Sequence, residues 1–144
     1  MTTVEYLNQY RLARMEISAL TAEAAEIKKQ LQAVTLTFGE GGGGAPNTQK
    51  IPRAFEKIDE IEREITARIG KLAELRMEIN NVIQAVPDDT LKTVLVSKYI
   101  GGESWEYIAA EFGTTRYHMT HRIHPKALAA VERIREQGGG NGIQ

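Results

Sequence analysis

"SWEYIAAEFGTTRYHMTHRI", residues 104–123, reads as two short helices around a glycine. Ser104 stands where an N-cap belongs, and the apolar-periodic run after it stops at Gly113. Thr115 is placed to cap a second helix. Two helices of this length joined by a tight glycine turn have the form of a helix-turn-helix. The spacing fits in detail. Ala109 falls where the two helices touch and only a small side chain fits. Gly113, four residues on, supplies the left-handed conformation of the turn. Met119, six further, is the apolar residue that faces the core. Ile108, Phe112 and Ile123 complete that core. Trp105, in the first turn, can bury its ring there and keep its N–H near water.

Upstream, "VPDDT" (86–90) is a break: Pro87 ends one helix, and Asp88 or Asp89 caps the next. "TLKTVLVSKYI" (90–100) is then a helix ending at Gly101-Gly102. Downstream, Pro125 lacks an N–H and clashes with the carbonyl four residues back, at His121. It also disfavours helix at His124. A kink or break near 124 is therefore predicted. "PKALAAVERIRE" (125–136) starts a fresh turn that packs back by Leu128, Val131 and Ile134. "QGGGNGIQ" (137–144) has no apolar core and is expected to be a disordered tail.

The N-terminal half has a different character. Thr3, Tyr6, Tyr10, Ala13, Ile17, Leu20, Ala24, Ile27, Leu31 and Val34 recur at alternating spacings of three and four. That is a heptad seam on one long helix, and the small Ala13 and Ala24 let a partner approach closely. "FGEGGGGAPNTQKIP" (38–52) ends it with four consecutive glycines and two prolines, within a linker placed at 37–52. No Gly-Lys-Ser/Thr follows and no strand precedes, so it is not a phosphate-cradling loop. A second long helix, from about Arg53 to Ala85, carries Phe55, Ile58, Ile61, Ile65, Ile69, Leu72, Leu75, Ile79, Val82, Ile83 and Val86. This wider stripe suits a helix packed against more than one neighbour. Each helix is about 50 Å long at about 1.5 Å per residue. Equal lengths and a long link point to an antiparallel hairpin, although the seam serves equally to pair with a second copy.

The expected architecture is all-α: a long antiparallel helical hairpin over 1–86, then a helix-turn-helix domain over 87–136 and the tail 137–144. The chain has no cysteine, so disulfides and thiolate metal sites are excluded. No run reaches the roughly 18 apolar residues that span a bilayer, and no membrane partner is expected. Net charge is −1. Residues 1–86 carry 11 Lys/Arg against 12 Asp/Glu, and residues 87–144 carry 7 against 7. Any affinity for nucleic acid must therefore come from local placement.

"LVSKYIGGESWEYIAAEFGTTRYHMTHRIHPKAL" (95–128) resembles the promoter-reading C-terminal region of bacterial sigma factors. Tyr99, Gly102, Ile108, Ala109, Gly113, Met119, Arg122, Ala127 and Leu128 fall on that region's recurring positions. With long helices before it, the whole chain is similar to the small sigma-like regulators of phages and prophages, the ArpU/RinA-type late-gene activators. Two features depart from the pattern: Pro125 stands where a basic residue is frequent, and the domain has no net positive charge. The resemblance implies sequence-specific binding of double-stranded DNA in the cytoplasm of a bacterial host. The hairpin then makes a homo-oligomer or contacts RNA polymerase.

The DNA-contacting residues expected on that reading are Thr115, Arg116, Tyr117, His118, Thr120, His121, Arg122, His124 and Lys126. At about 100° per residue from a core-facing Met119, Tyr117, His121 and His124 point outward, with His118 and Thr120 flanking them. From Thr114 to Lys126 there are three basic residues, three histidines and no acid. Arg116 suits a guanine edge; Thr115 and Lys126 suit phosphates. Arg122 has an alternative, an internal pair with Glu106 or Glu111. Glu103, Glu106 and Glu111 are expected to face away from DNA. Histidines titrate near neutrality, so binding is expected to tighten as pH falls toward 6.

Three histidines in "RYHMTHRIH" also raise a metal site, but helical zinc ligands favour an i, i+4 pair with a carboxylate nearby. No acid lies between Glu111 and Glu132, and neither metal nor cofactor is expected. No arrangement of nucleophile, base and acid suggests an enzyme. Two other functions remain: a DNA-packaging oligomer like small terminase subunits, and a coiled-coil interaction protein without DNA binding.

Overall fold

The computed structural model describes residues 1–41 and 50–141, with side chains for 1–34 and 50–138. The protein is all-α, with no strand among the described residues. Helix α1 spans Thr3–Gly41 and α2 spans Lys50–Gln84. Helix α3, Asp89–Leu95, runs directly into a π-helical turn, Val96–Ile100. Helix α4 is Trp105–Glu111. Helix α5, Arg116–His118, passes through a second π-helical turn, Met119–Ile123, into α6, His124–Asn141. The linker expected over 37–52 is shorter at both ends. Helix α1 continues through Gly41, and α2 begins at Lys50 with Pro52 in its first turn, where a missing N–H leaves no bond unmade. Residues 42–49 lie outside the described residues. The tail expected from 137 is helical through Asn141, and residues 142–144 lie outside the described residues.

The chain divides into two compact units, and the division is not at residue 86. One unit is Ala13–Lys71, in which α1 and α2 pack together antiparallel. Glu16 pairs with Arg68, and Lys28 lies 3.3 Å from Glu62, so numbers rise along one helix as they fall along the other. The seam is real: Ala24, Ile58 and Ile61 are buried, and Ala13, Ile17, Leu20, Ile27 and Leu31 are partly so. The wider α2 stripe finds no second neighbour in this unit, and Phe55 and Ile69 stay exposed.

The other unit joins Met1–Leu12 to the described residues from Leu72 onward. Its main core is built from Tyr6 and Leu7 of α1, Ile79 and Ile83 of α2, Val86, Leu95 of α3, Tyr99 and Ile100 of the first π turn, and Ala127 and Val131 of α6. Leu128 and Ile134 pack against it, as their spacing predicts. Here α2 does have several neighbours, which explains why its apolar stripe broadens toward Val86. Tyr6 also carries the guanidinium of Arg135 over its ring, 4.2 Å from the centroid. The anticipated caps are present: Asp88 accepts from the Leu91 N–H at 3.0 Å, Ser104 from Tyr107 at 3.1 Å and Thr115 from His118 at 3.0 Å.

A second, smaller cluster holds α4 and the second π-helical turn against α3. Val94, Ile108, Ala109 and Met119 are buried in it, and Trp105, Phe112 and Ile123 pack on it. Between α4 and α5, Gly113 has φ +66°. The Thr114 N–H donates to the Ala109 carbonyl at 2.9 Å, and the Gly113 N–H to Ala110 at 3.1 Å. This pair of bonds is a Schellman ending, which satisfies the last carbonyls of α4 and turns the chain sharply.

Of the kink or break predicted near 124, the break does not occur. Instead the helix widens by one residue just before it. The His124 N–H donates to the Met119 carbonyl, five residues back, and His124 keeps helical angles of φ −58° and ψ −44°. A proline disrupts a regular four-residue ladder, and a π turn is one of the few ways to carry a helix past such a disruption.

Candidate functional site

The nine residues singled out from sequence lie on and after α5, and the structure separates them into groups. Thr115, Arg116, Tyr117, His118, His121, Arg122 and Lys126 are exposed; Thr120 is partly so. Met119, on the opposite side of the helix, is fully buried. That opposition is what gives α5 an outer face.

Tyr117 and His121 form a stacked pair on this face, with ring centroids 4.1 Å apart and planes 14° from parallel. The His121 ring is fixed from below. Its Nδ1 lies 3.1 Å from the Tyr117 carbonyl and 3.0 Å from Thr120 Oγ1. A carbonyl only accepts, so Nδ1 carries the proton and Nε2 is left as the acceptor. Thr120 meanwhile donates its hydroxyl to the Arg116 carbonyl at 3.0 Å. The Thr115 hydroxyl accepts the His118 N–H and keeps its own proton for an outside acceptor.

His124 is a correction. It was expected to point outward with Tyr117 and His121. The π turn places it above Met119 instead, and it points inward. Its Nε2 is 2.7 Å from the Tyr99 hydroxyl. Its ring stacks on Tyr99 at 5.9 Å and meets Trp105 at 4.5 Å, tilted by 60°. Burial, with the Lys98 charge adding to it, pushes the His124 pKa below its ordinary value. Burial also pushes the Tyr99 phenol up to about 12. Both partners are thus held neutral, and His124 adds no charge to the outer face near neutral pH.

Arg116 and Glu106 are the second correction. The sequence left Arg116 free, offered Arg122 as the internal ion-pair partner, and turned the acids of α4 away. In the structure Arg116 Nε is 2.8 Å from Glu106 Oε1, and both side chains remain well exposed. Among the described residues no ion pair involves Arg122. Sequence reasoning named Glu106 but gave it the wrong partner, although a signal existed. Glu106 is in the first turn of α4 and Arg116 in the first turn of α5, and the Gly113 turn brings those two starts together. Lys98 was also missed. Its ammonium lies 4.8 Å from the Trp105 ring centroid and 3.4 Å from the Glu103 carbonyl, with its pKa lowered by burial and by Arg11.

Lys126 stands apart from this cluster. It borders a groove of about 480 Å³ that also involves Val86, Asp88, Leu91, Arg133 and Ile134. Among the described residues no three His, Cys, Asp or Glu side chains gather closely enough to hold a metal ion, and no helix is long and apolar enough to cross a membrane. No family profile, curated protein or solved structure matches this chain.

Proposed function

We propose that the protein binds double-stranded DNA through the outer face of α5 and its π turn, as a sequence-specific regulator of phage or prophage transcription. The observation that carries this reading is the acid-free run Thr114–Lys126. Most of its polar side chains face outward, and Met119 anchors the helix from behind. A helix raised in this way by a glycine turn suits entry into the major groove, with its first residues nearest the base edges. Arg116, Tyr117, His118, His121 and Arg122 form the reading face; Thr115 and Lys126 suit backbone phosphates.

The long helices serve oligomerisation or contact with RNA polymerase. The exposed Met15, Phe55 and Ile69 of the Ala13–Lys71 unit favour a second copy of the chain. Ring-sized oligomers in light scattering would move the assignment to a DNA-packaging role.

The test is duplex DNA binding followed across salt concentrations. Affinity is expected to fall steeply, since each phosphate contact adds close to one unit to the log–log slope. Arg116→Ala and His121→Ala are each expected to weaken binding while leaving the thermal transition unchanged. Absence of any DNA affinity at low salt would leave a coiled-coil interaction protein as the function.

A further inference from the structure

One carboxylate stands at the edge of an otherwise acid-free face, and it is fixed there by structure. Glu106 follows the Ser104 cap closely, and Arg116 follows the Thr115 cap directly. Both caps are closed, and the Schellman turn at Gly113 fixes one helix start against the other. The resulting Arg116 Nε to Glu106 Oε1 contact is 2.8 Å.

Stability does not explain the pair. The side chains are 63% and 67% exposed, and ion pairs at that exposure contribute little. Phosphate gripping does not explain it either, because a carboxylate beside the arginine repels the DNA backbone. The geometry of the guanidinium does explain it. Arginine has a side edge, made by Nε and one Nη, and an end edge, made by the two Nη atoms. A contact at Nε occupies the side edge and leaves the end edge free as a two-pronged donor. That fork matches the O6 and N7 acceptors of guanine in the major groove. Lys98, a second cation that feels Glu106, is drawn toward the Trp105 ring and the Glu103 carbonyl, away from the Arg116 pair.

We infer that Glu106 is a positioning residue that holds Arg116 by Nε and presents its terminal fork to one guanine of the DNA site. This rests on the DNA-binding reading above and adds a specific base to it. Lysine at 116 keeps the charge and loses the fork. Glutamine at 106 keeps the shape and loses the charge that holds Nε.

The experiment is selection of duplexes from a random pool by the full-length wild type, Glu106→Gln and Arg116→Lys, with thermal melts confirming that all three fold alike. The wild type is expected to select a site containing one guanine whose preference falls roughly tenfold in both variants, while the other positions keep their preferences. Replacing that guanine by 7-deazaguanine, which lacks N7, is expected to weaken the wild type and leave Glu106→Gln little affected. An unchanged guanine preference in Glu106→Gln overturns the inference. So does a uniform gain of affinity for all sequences, which would make Glu106 a simple repellent of phosphate. A wild type that binds no duplex fails at the earlier step and removes the DNA reading itself.

Discussion

His124 shows how one side chain can be assigned to the wrong side of a helix. Its pKa is lowered in the folded protein, so the unfolded chain takes up a proton more readily. Stability from this residue is therefore complete above the ordinary value of 6.5 and is lost as pH falls from there toward the lower, folded value. The expected outcome is a urea midpoint that drops between pH 7.5 and 5.5 in the wild type and drops less in His124→Gln, whose amide can still bond Tyr99. Equal drops in the two proteins would show that His124 does not titrate in this way. For the proposed DNA binding, the expected contribution of this residue changes sign. Acidification was expected to add its charge to the proposed contact face; with the ring packed on Tyr99 and Trp105, acidification is instead expected to loosen that packing. Only His118 and His121 remain as histidines on the outer face.

Among the elements, the turns were the most legible and the helix phase the least. Ser104, Thr115 and Asp88 were readable as caps because a short polar side chain before an apolar-periodic run has few other uses. Ala109, Gly113 and Met119 were readable because close approach, positive φ and burial each restrict the residue types allowed. The π turn Met119–Ile123 was not readable. Projection at a fixed angle per residue assumes one helical pitch, and Pro125 announced only that the pitch must fail somewhere. The first π turn, Val96–Ile100, had no such announcement. It ends at Gly101, where an added Cβ would meet the Ser97 carbonyl oxygen at 2.9 Å. Two glycines thus act for different reasons, one for contact and one for conformation. Gly113→Ala is expected to cost about 1–2 kcal/mol through its φ alone, because an added Cβ there meets nothing within 4 Å. Gly113→Asn is expected to recover part of that loss, since asparagine tolerates the left-handed region. Equal losses in the two variants, followed by chemical denaturation, would count against a conformational origin.

Across the whole molecule, the hairpin was legible from its heptads, but the boundary between units was not. Heptad spacing identifies an apolar face without saying what covers it at each level. Residues 13–34 of α1 meet α2 as the seam predicts, whereas Tyr6 and Leu7 lie in the core that holds Leu95, Tyr99 and Val131. Leu7→Ala, although far in sequence from α5, is therefore expected to cost roughly 2–5 kcal/mol and to weaken any function of that helix along with it. A fragment beginning at residue 87 should lack much of its core. Cooperative unfolding of that fragment with full-length stability would contradict this assignment.

The placement of Leu7 and Val131 in one core also has a consequence in time. A ribosome makes Leu7 long before Val131, and the core that joins them cannot close in between. The core stays open until α6 has been made, so this unit cannot close as its first helix emerges. Until then the apolar face of the first turns of α1 must wait uncovered.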